Sequence, residues 1–319
     1  MRALRAQIKE NRPARAAVFL AQNTLHGGRS MLGGRRQETA GQGTERYRLT
    51  AMVRVKNEAR FLPEWLAHHV GLGVEHFYIY DNNSTDDIES VMRPFIDEGL
   101  ATYVPWPTVP ASPASHVDFL ERFAASSTWV AFLDADEFLV ENQPGALLTT
   151  LDARRRHPAV AVNSLYFGSA GHETIPEGLV TERFDRADPS ANDHVKVIAR
   201  PTAVYRYRNP HNFYYRHGKL ARTPDGRRVF GTFVRASSRA AVVLHHYLYR
   251  SREDFERKAR RGYSTATGER AQARRLSRAD TEFHKHNDAH VTVPDSTRVA
   301  TARLLAKFGY PPELYESDA

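Results

Sequence analysis

Cysteine is absent from this 319-residue chain. That excludes a disulfide framework and any thiolate metal site, so a bound ion would need oxygen or imidazole ligands, the preference of hard cations rather than of structural zinc. Long apolar runs are absent too, since nothing approaches the roughly 20 consecutive apolar residues of a membrane-spanning helix. The longest apolar piece near the start, Ala14 to Ala21, is interrupted by Arg15 and is followed by no convincing cleavage site. No signal peptide is read there, and the expected location is the cytoplasm. No internal repeat is visible. What is present, 41% hydrophobic residues over this length, is enough to bury a sizeable core in one elaborated domain.

The formal charge is +8, but it is unevenly placed. Residues 1–48 carry ten Lys/Arg against three Glu, which leaves the remainder of the chain close to neutral. A basic leader before a near-neutral body reads as an interaction arm for an anionic membrane surface or as a solubilising tail. A nucleic-acid-binding fold is not expected. From Gly27 to Gly43 the chain is rich in Gly, Arg, Gln and Ser/Thr, the composition of a linker. The expected division is a basic, flexible leader and linker over 1–46, a catalytic domain over 47–265 and a polar, helical extension over 266–319.

Beyond the linker, β-rich and helical segments alternate as in successive βα units. Strands are expected at Leu49–Val55, His76–Tyr80, Ala101–Val104 and Trp129–Leu133. Helices are expected at Glu58–Leu72, Thr85–Glu98 and Val117–Ser126. The fold class is therefore α/β, an open mixed sheet with a Rossmann-like N-terminal half flanked by helices. Later segments are less regular: a helix over Gly145–Arg156, strands at Ala159–Tyr166, His194–Val204 and Ala241–Tyr249, a turn at Thr223-Pro-Asp-Gly226, and a charged helix over Ser251–Arg261. In open parallel sheets ligands gather at the carboxyl ends of the strands. Three strands here end in polar residues: Lys56-Asn57-Glu58, Asp81-Asn-Asn-Ser84 and Asp134-Ala-Asp136.

Alternate residues of an extended chain point to one side, so Asp134 and Asp136 can address one ion at a strand end. A divalent cation on two carboxylates would bind a diphosphate and neutralise charge growing on it. Such a triplet is common in surface loops, but here it follows the buried apolar run Trp129-Val-Ala-Phe-Leu133. The turn from Asp81 to Asp86 offers carboxylates, amides and hydroxyls for a base or ribose, or a cap for the next helix. Asn57 either joins that contact or starts the following helix. Lys196, flanked by Val195 and Val197, reaches a phosphate or pairs with a buried acid. His245 and His246 face opposite sides of a strand, so only one can reach the site. The cationic side chains of the helix from Ser251, among them Arg257, Lys258 and Arg261, either cover phosphates or form a solvated face, and the solvated face is the expected reading. No metal site is assigned to His284, His286 and His290.

These residues carry a resemblance. Val53-Arg-Val-Lys-Asn-Glu58, Leu62-Pro-Glu-Trp-Leu66 with His68-His69, Tyr78-Ile-Tyr-Asp-Asn-Asn-Ser84 and Phe132-Leu-Asp-Ala-Asp-Glu-Phe138 resemble segments of the family-2-like and family-92-like glycosyltransferases. The likeness continues through Gly178-Leu-Val-Thr-Glu-Arg-Phe184, His194-Val-Lys-Val-Ile-Ala-Arg-Pro201 and His246-Tyr247, and covers roughly Leu49 to Gly262. The resemblance implies a GT-A fold, a nucleoside-diphosphate sugar donor, usually a uridine one, and Mn²⁺ or Mg²⁺. It places the metal on Asp134 and Asp136, with His246 as a third ligand or diphosphate contact, and the nucleoside on Asp81. It also implies inversion, with a base that deprotonates the acceptor hydroxyl. Glu182 is the expected base, ahead of Asp185, Asp193 and His172; the alternative for Glu182 is a structural ion pair. The expected acceptor is a saccharide or glycolipid. A sugar-phosphate nucleotidyltransferase would carry a Gly-rich phosphate loop after the first strand, and Val53 to Glu58 contains no glycine. A noncatalytic nucleotide- or anion-binding protein would make the Asp134 and Asp136 pair dispensable.

Overall fold

The computed structural model describes residues 17–22, 25, 45–108, 113–261 and 269–314. In chain order the elements are β1 (Tyr47–Val55), α1 (Leu62–Gly71), β2 (His76–Asp81), α2 (Ile88–Asp97), β3 (Ala101–Pro105), α3 (Ala114–Arg122) and β4 (Ser127–Asp134). There follow β5 (Glu137–Glu141), α4 (Ala146–Ala153), β6 (Ala159–Phe167), α5 (Val180–Arg183), β7 (Arg186–Ala187), β8 (Val195–Ala199), β9 (Val204–Asn209) and β10 (Asn212–Tyr215). The last elements are β11 (Val242–Tyr247), α6 (Arg252–Arg261), α7 (Glu269–Leu276), α8 (Ala279–Phe283), β12 (Ala289–His290) and α9 (Asp295–Lys307).

The main sheet runs β12-β7-β6-β8-β4-β1-β2-β3. Its first half is parallel, with β1 between β2 and β4 and β3 outside β2. Past β4 the pairing turns antiparallel through β8 to β6. This is an open mixed sheet whose parallel half follows the expected alternation of segments. Strand β1 is covered on both faces: Leu49, Ala51 and Val53 enter one core with Trp65, Phe77 and Phe95, and Met52 enters another with Tyr78, Phe119 and Phe132. Two-sided burial explains its continuous apolar run.

Helix α1 starts at Leu62 rather than Glu58, with Pro63 in its first turn, where a missing N–H costs nothing. Asn57 takes a left-handed conformation (φ 52°), which ends the extended chain before it. The expected strand His194–Val204 divides into β8 and β9 at Pro201, which cannot donate to a ladder. At Thr223-Pro-Asp-Gly226 the anticipated tight turn forms, with Gly226 at φ 93° and its N–H donating to Thr223 O (2.9 Å).

Strand β5 was not legible, because every one of its five residues is buried and it begins and ends on Glu. It pairs with β11 on one edge. Side chains of α1 meet its other edge: Trp65 Nε1 donates to Glu137 O (2.7 Å), His68 Nε2 to Leu139 O (2.7 Å), and His69 Nε2 accepts from Leu139 N (3.2 Å). The Trp65, His68 and His69 pattern thus satisfies buried backbone groups that a strand edge leaves open. Burial lowers the pKa of His68 to about 4 and of His69 well below its ordinary value, in keeping with neutral imidazoles.

The C-terminal segment joins the main core, since Leu305 and Phe308 belong to the same apolar cluster as Trp65 and the Phe308 and Phe95 rings lie 4.3 Å apart. Most of the expected leader lies outside the described residues. Within it, Phe19 is buried, stacked on Tyr214 with the Arg208 guanidinium 4.9 Å from its ring.

Candidate active site

Strand β4 ends at Asp134 and β5 begins at Glu137, so the Asp-Ala-Asp triplet forms the connection between them at the carboxyl end of the parallel strands. Asp134 and Asp136 line a pocket there together with His246. The rest of its wall is strongly cationic: Arg54 and Lys56 from the end of β1, Lys258 and Arg261 from α6, and Arg275 from α7.

Each aspartate is held by a buried ammonium. Lys196 Nζ lies 2.6 Å from Asp134 and 3.0 Å from Glu137, with only 3% of its side chain exposed. Burial works against the charged lysine, but the two carboxylates outweigh it and raise its pKa. Burial likewise opposes ionisation of Asp134, and Lys196 and Arg54 more than offset this, so its pKa is lowered. For Glu137 burial prevails and lifts the carboxyl to about 7. Asp136 accepts from Lys258 Nζ at 2.9 Å, and its other oxygen lies 3.5 Å from His246 Nε2. Burial again opposes the charge, yet Lys258 and His246 hold the Asp136 pKa well below its ordinary value. His246 moves the other way: burial disfavours its cation, but Asp136 and Glu137 raise its pKa.

Helix α6 is built into the site rather than solvated, which corrects the expectation for its cationic face. Arg250, fully buried just before it, bonds Glu58 (2.7 Å) and Asp254 (3.0 Å) and lies 3.5 Å from the Phe61 ring centre. Ser251 Oγ caps the helix by accepting from Asp254 N (3.0 Å). One turn on, Lys258 bridges Asp136 and Asp254, and Arg261 pairs with Glu58 at 2.6 Å. Arg257 and Arg261 also donate to the Asn57 and Lys56 carbonyls respectively. The helix spacing i, i+3 and i+4 puts Asp254, Lys258 and Arg261 on one face toward the Asp-Ala-Asp turn.

The other anticipated residues fall differently. Asp81 is buried and does not line the pocket: it accepts from Ser84 N (3.0 Å), Ser84 Oγ (2.5 Å) and Tyr103 OH (2.6 Å), and it is Asn82 that lines the wall. Asn57 accepts from Thr85 N through its side chain (2.7 Å), while its neighbours Lys56 and Glu58 line the pocket. Of the two outcomes open for Lys196, the structure contains the buried acid pair. His246 faces Asp136, and His245 packs on the opposite side against Phe167. Glu182 is not brought to the pocket: it lies on α5 and pairs with Arg298 at 3.1 Å. Asp185 pairs with His290 (2.9 Å), Asp193 accepts from Ala236 N (3.1 Å), and His172 Nε2 bonds Arg183 O (3.1 Å). Arg275 was missed as a site residue, while for Lys258 and Arg261 the structure contains the less expected alternative, a place on the pocket wall instead of a solvated face.

The model of the family described as Glycosyltransferase family 92 matches residues 52–266. The chain belongs to glycosyltransferase family 92. A family 92 protein of Ricinus communis is 30% identical over 232 residues, covering 70% of this chain and 39% of the relative. One of Oryza sativa is 30% identical over 218 residues, covering 64% of this chain and 34% of the relative. The family 92 chain thus spans well under half the length of these plant relatives. Among solved structures, Staphylococcus aureus TarS 1–349 gives a TM-score of 0.37 at 15% identity, over 74% of this chain and 70% of that one. Glucosyl-3-phosphoglycerate synthase from Mycobacterium tuberculosis, solved with Mn²⁺, uridine diphosphate and glucosyl-3-phosphoglycerate, gives 0.26 at 22% identity over 46% and 49%.

In the family 92 chain the oxygen and imidazole donors of Asp134, Asp136 and His246 are of the type that Mn²⁺ and Mg²⁺ accept. Their arrangement is another matter. Among the described residues no three carboxylate or imidazole side chains form a group able to hold an ion, and one oxygen of each aspartate is bonded to a lysine. As arranged, the residues do not fit a resident metal, and no step below passes through one.

Proposed function

We propose that this chain transfers a sugar from a nucleoside-diphosphate donor, a uridine one in the first instance, to a hydroxyl of a saccharide or glycolipid, with inversion at the anomeric carbon. The observation that carries the reading is the set of five cations, Arg54, Lys56, Lys258, Arg261 and Arg275, on the wall of one pocket beside the Asp-Ala-Asp turn. In a single displacement the acceptor oxygen attacks the anomeric carbon while the bond to the diphosphate breaks. Negative charge grows on the departing diphosphate, and pre-placed cations stabilise it without having to reorganise. Lys258 and Arg261 meet that need from α6, and their packing through Asp254 and Glu58 keeps them in place.

Asp81 serves in this reading by ordering the turn that presents Asn82 to the nucleotide. Because the aspartates as arranged do not fit a resident metal, the cations carry the diphosphate in this reading, and comparing UDP affinity in EDTA and in Mn²⁺ tests whether an ion contributes beside them. Contact of the basic leader with an anionic membrane belongs to the same reading and is tested by sedimentation with phosphatidylserine vesicles.

The experiment is a screen of uridine- and guanosine-diphosphate sugars for hydrolysis or transfer, run beside Asp136→Ala. Turnover of at least one donor, and loss of about 10²-fold or more in the variant, is expected. Absence of turnover with every donor, or an unimpaired variant, would sink the proposal.

A further inference from the structure

The donor pocket leaves open which group takes the proton of the acceptor hydroxyl, and four anticipated candidates are committed elsewhere. Glu182 is paired with Arg298, Asp185 with His290, Asp193 with a backbone N–H and His172 with a carbonyl. Next to His246 the sheet offers another group. Tyr166 of β6 stands in register with His246 of β11, the two rings 5.6 Å apart. The His286 ring lies 5.3 Å from that of Tyr166 and is stacked on Tyr249 at an interplanar angle of 5°. His286 Nδ1 is 2.8 Å from Asp188 Oδ1, and Asp188 is tied to the same row because its N–H donates to Tyr166 O (2.9 Å).

We propose that His286, oriented by Asp188, is the general base of the glycosyl transfer proposed above, on which this inference rests. A carboxylate only accepts, so the proton of neutral His286 is on Nδ1 and the lone pair on Nε2. Nε2 takes the proton of the acceptor hydroxyl, whose oxygen forms the new bond to the anomeric carbon. The old anomeric carbon–oxygen bond breaks, and its electron pair leaves with the diphosphate. Atoms and charge balance with no further reactant.

The loop that carries His286 is locked to the catalytic sheet. Gly168 at the end of β6 lets it approach so closely that a Cβ there would fall 2.4 Å from Lys285 O. Ser169 Oγ donates to Phe283 O (3.0 Å), and Ala170 N donates to Asn287 Oδ1 (2.9 Å). His286 itself is left-handed (φ 61°), a conformation disfavoured for any residue but glycine. Strain of this kind, held by its surroundings, concentrates at functional positions. The residue lies beyond the family-matched 52–266, so the general family pattern does not point to it.

His286→Asn keeps a side chain that tolerates the left-handed conformation and can still donate to Asp188, but it has no basic nitrogen. His286→Gly suits the same backbone and leaves room for added imidazole. Turnover is measured with whichever of UDP-glucose, UDP-galactose and GDP-mannose wild type uses, and binding with UDP or GDP alone. The expected result is a fall in turnover of about 10²–10⁴-fold in both variants, nucleotide affinity unchanged within about twofold, and partial restoration of the Gly variant by imidazole. Turnover of the Asn variant near wild type, parallel loss of nucleotide affinity, or no response to imidazole overturns the assignment. Wild type that binds none of these nucleotides overturns the transfer reading itself, and is seen before any variant is made.

Discussion

The Lys258 ammonium lies 2.9 Å from an oxygen of Asp136 and 3.3 Å from one of Asp254, with 4% of its side chain exposed. A residue 122 positions downstream of the Asp-Ala-Asp turn is therefore part of it. Lys258 is expected to contact the donor diphosphate, so Lys258→Met removes a charge-assisted contact. UDP affinity measured by calorimetry should fall about tenfold or more, with UDP still bound within about tenfold of its wild-type affinity when EDTA replaces Mn²⁺ for the unmodified protein. Equal affinity in the variant would show that α6 does not meet the phosphates.

Lys196 is a stability residue as much as a site residue. It pairs with Glu137, 2% exposed, and with Asp134, 41% exposed, so Lys196→Met leaves the Glu137 carboxyl buried without its cation. Breaking such a pair costs about 3–5 kcal/mol, roughly 6–10 °C in Tm for a domain of this size. The double variant Lys196→Met with Glu137→Gln should regain part of that loss. A single variant as stable as wild type would contradict the burial argument.

Acid should destabilise the fold before it unfolds it. His68, His116 and His245 are fully buried, and burial depresses them to about 4, 3 and 3. Below about pH 6.5 the unfolded chain binds protons that these native imidazoles refuse, so each contributes stability that is lost at about 1.4 kcal/mol per pH unit down to its folded pKa. Glu64 and Glu137 act oppositely: burial raises both to about 7, so the native state holds their protons longer and gains as pH falls from 7 toward 4.5. Three histidines outweigh two glutamates, and Tm should drop between pH 6.5 and 5. His245→Phe should flatten that slope; a Tm that rises on acidification would invert the assignment.

The parallel half of the sheet was legible because β1, β2 and β4 are continuous apolar strands that end on polar turns, a local pattern. Strand β5, the partner of β11, was not, since a five-residue strand buried on both faces shows no alternation and its edge is satisfied by Trp65, His68 and His69, some 70 residues away. The Asp134 and Asp136 turn was visible from its strand, but the cations around it come from β1, α6 and α7, and only the tertiary fold assembles them. Lys258 looked solvated because a charged helix gives no local sign of burial. Glu182 looked functional from its motif, while its partner Arg298 lies on α9, far along the chain.

The most direct test of the account is a calorimetric series of uridine, UMP and UDP on wild type and on the double variant Lys258→Met with Arg261→Met. The account predicts affinity that rises with each phosphate on wild type, by about tenfold or more from UMP to UDP, and a double variant that no longer distinguishes UDP from UMP. Wild type that fails to bind UDP, or a double variant that keeps the full phosphate increment, would contradict the claim that this cationic pocket is the diphosphate site.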